Sequence, residues 1–209
     1  ALITTSPAPA FTTQPTTMQT ACVGGTLTNL TVAYSGASTS PSYQWYSNLA
    51  NANTGGTPIP GATTASYLPP NNIAATTYYY CVISFPNISC TTISSNPGGV
   101  TIHPDPIISV QPLTTQAICF GTTLTTPLNI SFTGGYGTPS YQWSLINGIS
   151  STSVATTATY LPPAFNVAGN FYYNVTLTLS GNGCNVQTSN QAEVIVMPVP
   201  VVDSVGSYL

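Results

Sequence analysis

The landmarks of this chain occur twice, at a nearly constant distance. Gln14-Pro15 returns as Gln111-Pro112, Cys22 as Cys119, and Tyr43-Gln44-Trp45 as Tyr141-Gln142-Trp143. Further on, Tyr67-Leu68-Pro69-Pro70 returns as Tyr160-Leu161-Pro162-Pro163, and Cys90 as Cys184. The offsets are 97, 97, 98, 93 and 94 residues, about the size of one small domain. Three Pro-x-Pro steps stand at similar intervals: Pro7-Ala8-Pro9, Pro104-Asp105-Pro106 and Pro198-Val199-Pro200. Because proline fixes φ, these steps read as extended, semi-rigid joints. The expected division is 1–9 as linker or incoming strand, 10–103 as the first domain, 104–197 as the second, and 198–209 as linker or the start of a further repeat. The third step opens a repeat that the sequence does not complete, which reads as a slice of a tandem array.

Within each unit, short alternating runs are separated by Gly, Pro, Asn and Ser clusters, the pattern of strands joined by turns. Runs at Leu27–Tyr34, Ser42–Ser47 and Thr77–Phe85 are matched by Leu124–Phe132, Ser140–Ile146 and Asn170–Leu179. No run carries a helical period, and the prolines and β-branched residues oppose one. Phe171, Tyr173, Val175, Leu177 and Leu179 share one strand face, with Tyr172, Asn174, Thr176 and Thr178 on the other. That alternation predicts a half-buried antiparallel strand packed on a core.

Trp45 and Trp143 stand at equivalent strand positions, which favours core packing over sugar-stacking platforms. They occupy the place of the core tryptophan on the third strand of an immunoglobulin-like sandwich. Cys22-Val23-Gly24 and Cys119-Phe120-Gly121, the Tyr-Gln-Trp triplets, the Gly61-Ala62 turn, Tyr67 and Tyr160, the late cysteines and the Pro-x-Pro exits complete a pattern. In it the chain resembles the tandem immunoglobulin-like repeats of giant surface and secreted proteins of the Bacteroidetes, from about Pro7 to Pro200. The second unit departs by lacking Gly-Ala before Tyr160. The fold class expected is all-β: two tandem immunoglobulin-like antiparallel β-sandwich domains joined by a proline-rich linker. The resemblance implies an extracellular or cell-surface location. Repeats of this kind often act as spacers.

Recurrence at matching positions pairs Cys22 with Cys90 and Cys119 with Cys184. Each bridge would close a loop of more than 60 residues and contribute about 4 kcal/mol by the chain-entropy estimate. Zinc is the rival reading, but the spacings are long and there is no Cys-x-x-Cys. Cys81 is the odd thiol. Aligned with Asn174, it faces outward and is unpaired; by analogy with antibody domains it would face Trp45. Two further states stay open, a link from Cys81 to a neighbouring chain and a swap in which Cys81 displaces Cys90.

Charge narrows the function classes. The chain has no lysine or arginine, and its carboxylates are Asp105, Glu193 and Asp203. It therefore lacks the cations that nucleic acid and anionic lipid demand. Hydrophobic residues make up 42%, enough for a core, yet no apolar stretch approaches the ~18 residues of a membrane span. The sequence does not begin with methionine or a signal peptide, which reads as processing or truncation.

No metal, cofactor or catalytic set is expected. His103 and Asp105 form the joint between units, and one carboxylate does not make a calcium site. A single histidine and no Gly-x-Ser-x-Gly elbow oppose hydrolysis, so the chain reads as a non-enzyme. Tyr46, Tyr79 and Tyr172 are candidates for contact with partners. Asn29, Asn87, Asn129 and Asn174 begin N-glycosylation sequons, and Ser204, in Asp203-Ser204-Val205, fits an O-glycosylation triplet of the bacteria named above. The reading is a structural repeat of an adhesin stalk or a self-assembling filament, whose partners are copies of itself or adjacent repeats. In a filament, residues 1–14 and 198–209 would order only in the assembly. The alternative is a carbohydrate- or surface-binding module appended to a secreted enzyme, marked by an exposed aromatic cluster in one unit only.

Overall fold

The structure is a computed structural model that describes residues 7–36, 40–86 and 92–200. The described residues form strands and turns, without a helix. Contacts divide the chain into two units. Unit 1 is Ala1–Asp105 with Gly181–Cys184, and unit 2 is Pro106–Ser180 with Asn185–Leu209.

Unit 1 carries ten strands: β1 Ala10–Thr13, β2 Met18–Cys22, β3 Leu30–Thr31, β4 Ala33–Ser35, β5 Ser42–Asn48, β6 Thr57–Pro58, β7 Ser66–Tyr67, β8 Ala75–Ser84, β9 Thr92–Ser94 and β10 Gly98–His103. One sheet runs β2-β10-β8-β5-β6, with β9 on β8. The other layer is built from the pairs β1-β4 and β3-β7. Pro15 sits buried between β1 and β2. Having no N–H to continue a ladder, it marks the point where the chain leaves β4 and joins β10 in parallel. The core between the layers holds Leu30, Val32, Trp45, Cys81, Ile83, Phe85, Val100 and Ile102.

Unit 2 repeats the plan with β11 Ile107–Val110, β12 Thr115–Cys119, β13 Leu128–Asn129, β14 Ser131–Thr133, β15 Pro139–Asn147, β16 Ser150–Ala155, β17 Thr159–Tyr160, β18 Gly169–Leu179, β19 Gln187–Thr188 and β20 Ala192–Met197. Its main sheet runs β12-β20-β18-β15-β16, with β19 on β18. On β18, Tyr173, Val175, Leu177 and Leu179 are buried, and the residues between them are half-buried or exposed. Both units are immunoglobulin-like β-sandwiches.

Several strands have no clear signal in the sequence. β2 and β12, Met-Gln-Thr-Ala-Cys and Thr-Gln-Ala-Ile-Cys, carry little apolar alternation because they are edge strands held by parallel pairing to β10 and β20. β16, Ser-Ser-Thr-Ser-Val-Ala, is nearly all hydroxyl residues and exists because β15 templates it. This hairpin also accounts for the missing Gly-Ala in unit 2. In unit 1 the chain after a two-residue β6 turns at Gly61 (φ 77°), and the Trp45 N–H donates to the Ala62 carbonyl at 3.0 Å. In unit 2, Ala155 pairs with Trp143 directly.

The first fourteen residues are not wholly reserved for an assembly. Ala10–Thr13 already pairs with Ala33–Ser35 inside unit 1. Ser204 and Asn87 lie outside the described residues.

Candidate functional site

The recurring motifs meet in one structural lock, built twice. Trp45 and Trp143 are fully buried. Their indole N–H groups donate to the carbonyls of Thr64 and Thr157, both at 2.9 Å, so neither core tryptophan carries an orphaned donor. Tyr67 stacks on Trp45 at a centroid distance of 5.8 Å and meets Tyr79 at 5.4 Å. Tyr160 contacts Trp143 at 6.2 Å and Tyr173 at 5.8 Å. The Tyr-x-Pro-Pro motif thus closes the core over the Tyr-Gln-Trp motif, and the first proline of each pair, Pro69 and Pro162, is buried beside it.

The glutamines act on the backbone. Gln44 Nε2 donates to the carbonyls of Trp45 and Ile59 at 2.9 and 2.8 Å. Gln142 Nε2 reaches the Trp143 carbonyl at 3.0 Å, where the β15–β16 register slips by one residue. Gln14 Oε1 accepts from the Asn96 N–H at 2.8 Å, and Gln111 Oε1 from the Asn190 N–H at 2.9 Å. The Gln-Pro landmark therefore ends the first strand and ties it to the segment that enters the last one. Gly24 and Gly121 hold φ of 80°, the left-handed turn that explains glycine in each Cys-x-Gly. Their N–H groups donate to the carbonyls of Asn71 and Phe165, both at 2.8 Å.

One element of the lock was not read from the sequence. Ser95 and Ser189 are buried. The Ser95 hydroxyl accepts from the Cys81 N–H at 2.9 Å and donates to the Asn96 carbonyl at 2.9 Å. Ser189 does the same for the Val175 N–H at 3.0 Å and the Asn190 carbonyl at 2.9 Å. Each serine replaces a backbone carbonyl where the ladder is interrupted. The signal was present, since Ser95-Asn96 recurs as Ser189-Asn190 at the offset of 94 residues.

The cysteines depart from the expected arrangement. Cys22 is bonded to Cys184, so the expected Cys22–Cys90 and Cys119–Cys184 pairs are corrected. Cys90 lies outside the described residues, and Cys119 is a free, exposed thiol. Strand geometry gives the reason. Cys119 pairs with Met197 on β20, and the next residue of β20, Val196, pairs with Gly169 at the start of β18. Cys184 follows Leu179, at the other end of that eleven-residue strand. At about 3.3 Å per residue that strand alone is roughly 30 Å long, far beyond the reach of a disulfide. Cys22 likewise sits beside His103, at the Ala75 end of β8, whereas Thr92 sits at the Ser84 end.

Cys81 does not face outward. It is fully buried in the core and pairs across the sheet with Trp45, as Val175 pairs with Trp143. Its counterpart is therefore Val175, not Asn174, and a one-residue slip exchanges the two faces of a strand. The thiol is unpaired, and burial pushes it up to about 11, so it is protonated and shielded at neutral pH.

The other candidate positions fall into place without forming a catalytic group. Tyr79 is buried, not a surface contact. Tyr46 is stacked on Tyr80 at 5.1 Å, and the Tyr172 hydroxyl donates to Glu193 at 3.1 Å. Asn29 and Asn129 are exposed, whereas Asn174 is half-buried within β18. Asn29 Nδ2 donates to the Ser66 hydroxyl at 2.9 Å. Among the described residues, no three His, Cys, Asp or Glu side chains cluster as metal ligands, and no helix is long and apolar enough to cross a membrane.

Comparison with known proteins supports the same fold. A family described as "Domain of unknown function (DUF8696)" matches residues 12–104. No curated protein matches the sequence. Among solved structures, the chain is similar to titin domains I67–I69 (an E-to-A variant), with TM-score 0.55, 12% identity, and 93% of this chain and 67% of that one covered. It is similar to Sidekick-1 immunoglobulin domains 1–4, with TM-score 0.55, 11% identity, and 92% and 49% covered. For the three N-terminal domains of the bacteriophage RB49 outer capsid protein Hoc, the figures are 0.52, 11%, 92% and 70%. The chain thus carries a tandem immunoglobulin-like fold. At these identities the likeness is one of fold, and it does not carry the Bacteroidetes resemblance.

Proposed function

We propose that the chain is a non-catalytic structural repeat of an extracellular stalk or self-assembling filament. One observation carries this reading: the same lock of Trp, Tyr, Gln and buried Ser is built in both units, and the conspicuous side chains are spent on it. A disulfide and two hydrogen-bonded cores suit a chain that bears load in an oxidising exterior. The sparsely charged, hydroxyl-rich composition, with a net charge of -3, makes its cohesion respond little to the ionic medium. Copies of the chain or adjacent repeats are its partners.

The binding-module alternative rests on a cleft in unit 2 of about 300 Å³, lined by Leu145, Val154, Tyr160, Phe165, Phe171 and Tyr173 among others. Its aromatic residues are buried or half-buried, so they make no exposed stacking platform for a sugar. Electron microscopy of unreduced material decides between the readings. Fibres with a repeat of one or two sandwiches support the filament or stalk; isolated two-domain particles that bind a glycan surface overturn it.

A further inference from the structure

β16 closes the main sheet of unit 2, whose order β12-β20-β18-β15-β16 ends on it. Ser150–Ala155 pairs with β15 on one side. The hairpin turn is Gly148-Ile149, with Gly148 at φ 59°. A two-residue turn makes Asn147 and Ser150 a hydrogen-bonded pair, and the pairs then alternate along the ladder. Leu145 and Thr152 are bonded across the hairpin in the same way, while Ser151 and Ser153 aim their backbone N–H and C=O groups outward. The next strand fixes the same alternation. Val175 spends both its backbone groups on Ser189, so Trp143, opposite it, bonds on the β16 side. The register slips at Val154, beyond this stretch.

Unit 1 guards the same edge. Its counterpart β6 is only Thr57–Pro58, and Pro60 follows. Proline has no N–H to offer a further strand. β16 carries neither proline nor charge, and the chain has no lysine to place there. Ser150, Ser151, Thr152 and Ser153 are all exposed. The Ser153 hydroxyl is drawn back over the sheet, where it accepts from Gln142 Nε2. At the tip of the hairpin, Ile149 is fully exposed.

We propose that the outer edge of β16 is the contact between two copies of this chain, paired antiparallel about a two-fold axis through Thr152. The proposal rests on the repeat reading above and names the surface by which copies meet. The edge itself selects the occupant. Outward N–H and C=O groups at alternate residues are satisfied by an extended backbone, and the β15–β16 hairpin holds no charge with which to choose or repel a partner. A second β16 is self-complementary. Ser151 exchanges N–H···O=C bonds with the partner's Ser153, and Ser153 with the partner's Ser151. Thr152 then faces the partner's Thr152 in a non-hydrogen-bonded pair, where side chains approach closest and Thr–Thr contacts are favourable. In this register Ile149 falls opposite the partner's Ala155 and leaves water there. The contact is isologous and closes on a dimer, so it joins two chains laterally and lengthens neither. Being short and polar, it is weak singly and gains from repetition along an array.

The test is sedimentation velocity of the full chain from micromolar to millimolar concentration, with exposed thiols alkylated, beside amide exchange followed by NMR. The expected result is association that stops at the dimer. As it forms, the Ser151 and Ser153 amides should exchange about tenfold more slowly, and those of Ser150 and Thr152, already bonded to β15, should change less. Thr152→Lys sets two like charges face to face, and Ser151→Pro removes an outward N–H without touching the β15 ladder. Each should abolish the dimer while Trp143 fluorescence reports a folded unit 2, and Thr152→Lys decides alone where Ser151→Pro disturbs the hairpin. Thr115→Lys, exposed on β12 at the other end of the sheet, should leave the dimer intact. A chain monomeric at millimolar concentration, growth beyond the dimer, a dimer that survives Thr152→Lys, or one lost through Thr115→Lys overturns the contact. None of these outcomes touches the stalk reading, which also holds for repeats joined only end to end and fails separately, by microscopy.

Discussion

Replacing Ser189 by alanine tests whether the buried serine of each sandwich holds that sandwich together. Ser189 Oγ is the partner of the Val175 N–H at 3.0 Å and donates to the Asn190 carbonyl at 2.9 Å. Val175 is fully buried at the centre of β18, so water does not replace the lost acceptor. An orphaned buried donor costs about 1–3 kcal/mol, and the Asn190 carbonyl loses a partner in the same step. Almost no volume is removed, so the cavity contribution is small. We expect about 2 kcal/mol, a large part of the ~5–15 kcal/mol by which a domain is stable. The assay is urea unfolding followed by tryptophan fluorescence, since each unit holds one buried tryptophan, Trp45 or Trp143. With an m-value of roughly 1–3 kcal/mol/M, the unit 2 midpoint falls by about 1 M. Ser95→Ala should do the same to unit 1, through the Cys81 N–H. Ser94→Ala, at an exposed position, should stay within about 0.5 kcal/mol of the parent. A Ser189→Ala shift no larger than that of Ser94→Ala would refute the reasoning.

Other perturbations follow from the same geometry. Gln19 exchanges hydrogen bonds with the Thr28 backbone at 2.9 and 2.8 Å, whereas Gln116 Nε2 is buried without a partner. Gln19→Met should therefore lower the melting temperature and Gln116→Met leave it unchanged or raise it, as read by calorimetry. Trp143→Phe removes the bond to the Thr157 carbonyl and part of the core volume, and should cost about 2–4 kcal/mol in urea titration. Burial raises the Cys81 thiol from 9.0 to about 11 and the Tyr173 phenol from 10.0 to about 12. In each case the unfolded chain ionises first, so stability present at neutral pH declines as pH rises above about 9. Cys81→Ala should flatten that slope between pH 9 and 11 in unfolding measured across pH.

The fold was legible because its signals were local and duplicated. The alternation of Phe171 to Leu179 shows one buried face, and the tryptophans lie in the cores where their equivalent positions suggested. The less legible parts depend on partners that local sequence does not display. β16 is a strand because β15 lies beside it, and β2 and β12 are strands because β10 and β20 offer them an edge. Cys81 was misplaced by one residue of alignment. On a strand, with its period of two, that converts a core thiol into a surface one. The buried serines were overlooked because serine is mostly exposed and carries no periodic mark.

The cysteine pairing failed for a different reason, and the reason bears on function. Two cysteines that recur at fixed offsets are shown to be equivalent from repeat to repeat; they are not shown to be each other's partners. In a tandem array, a bond from the early cysteine of one repeat to the late cysteine of the next leaves the same sequence record as a bond within each repeat. Strand length separates the two cases. Cys119 and Cys184 lie at opposite ends of β18, and a disulfide spans Cα atoms only about 4.4–6.8 Å apart. The bond that does form, Cys22–Cys184, spans 162 residues of sequence. By the chain-entropy estimate it restricts the unfolded chain by about 5 kcal/mol. A domain that needed a bridge for its own core would gain nearly as much from a shorter loop. In the reading proposed above, a bond between Cys22 and the turn Gly181–Cys184 of the same unit holds the chain closed under tension across 162 residues of sequence. Reducing it should leave both cores hydrogen-bonded through Trp45, Trp143, Ser95 and Ser189, while shortening the lifetime of the chain under force in single-molecule pulling. Equal rupture forces in oxidised and reduced samples, with the same released contour length, would count against that role.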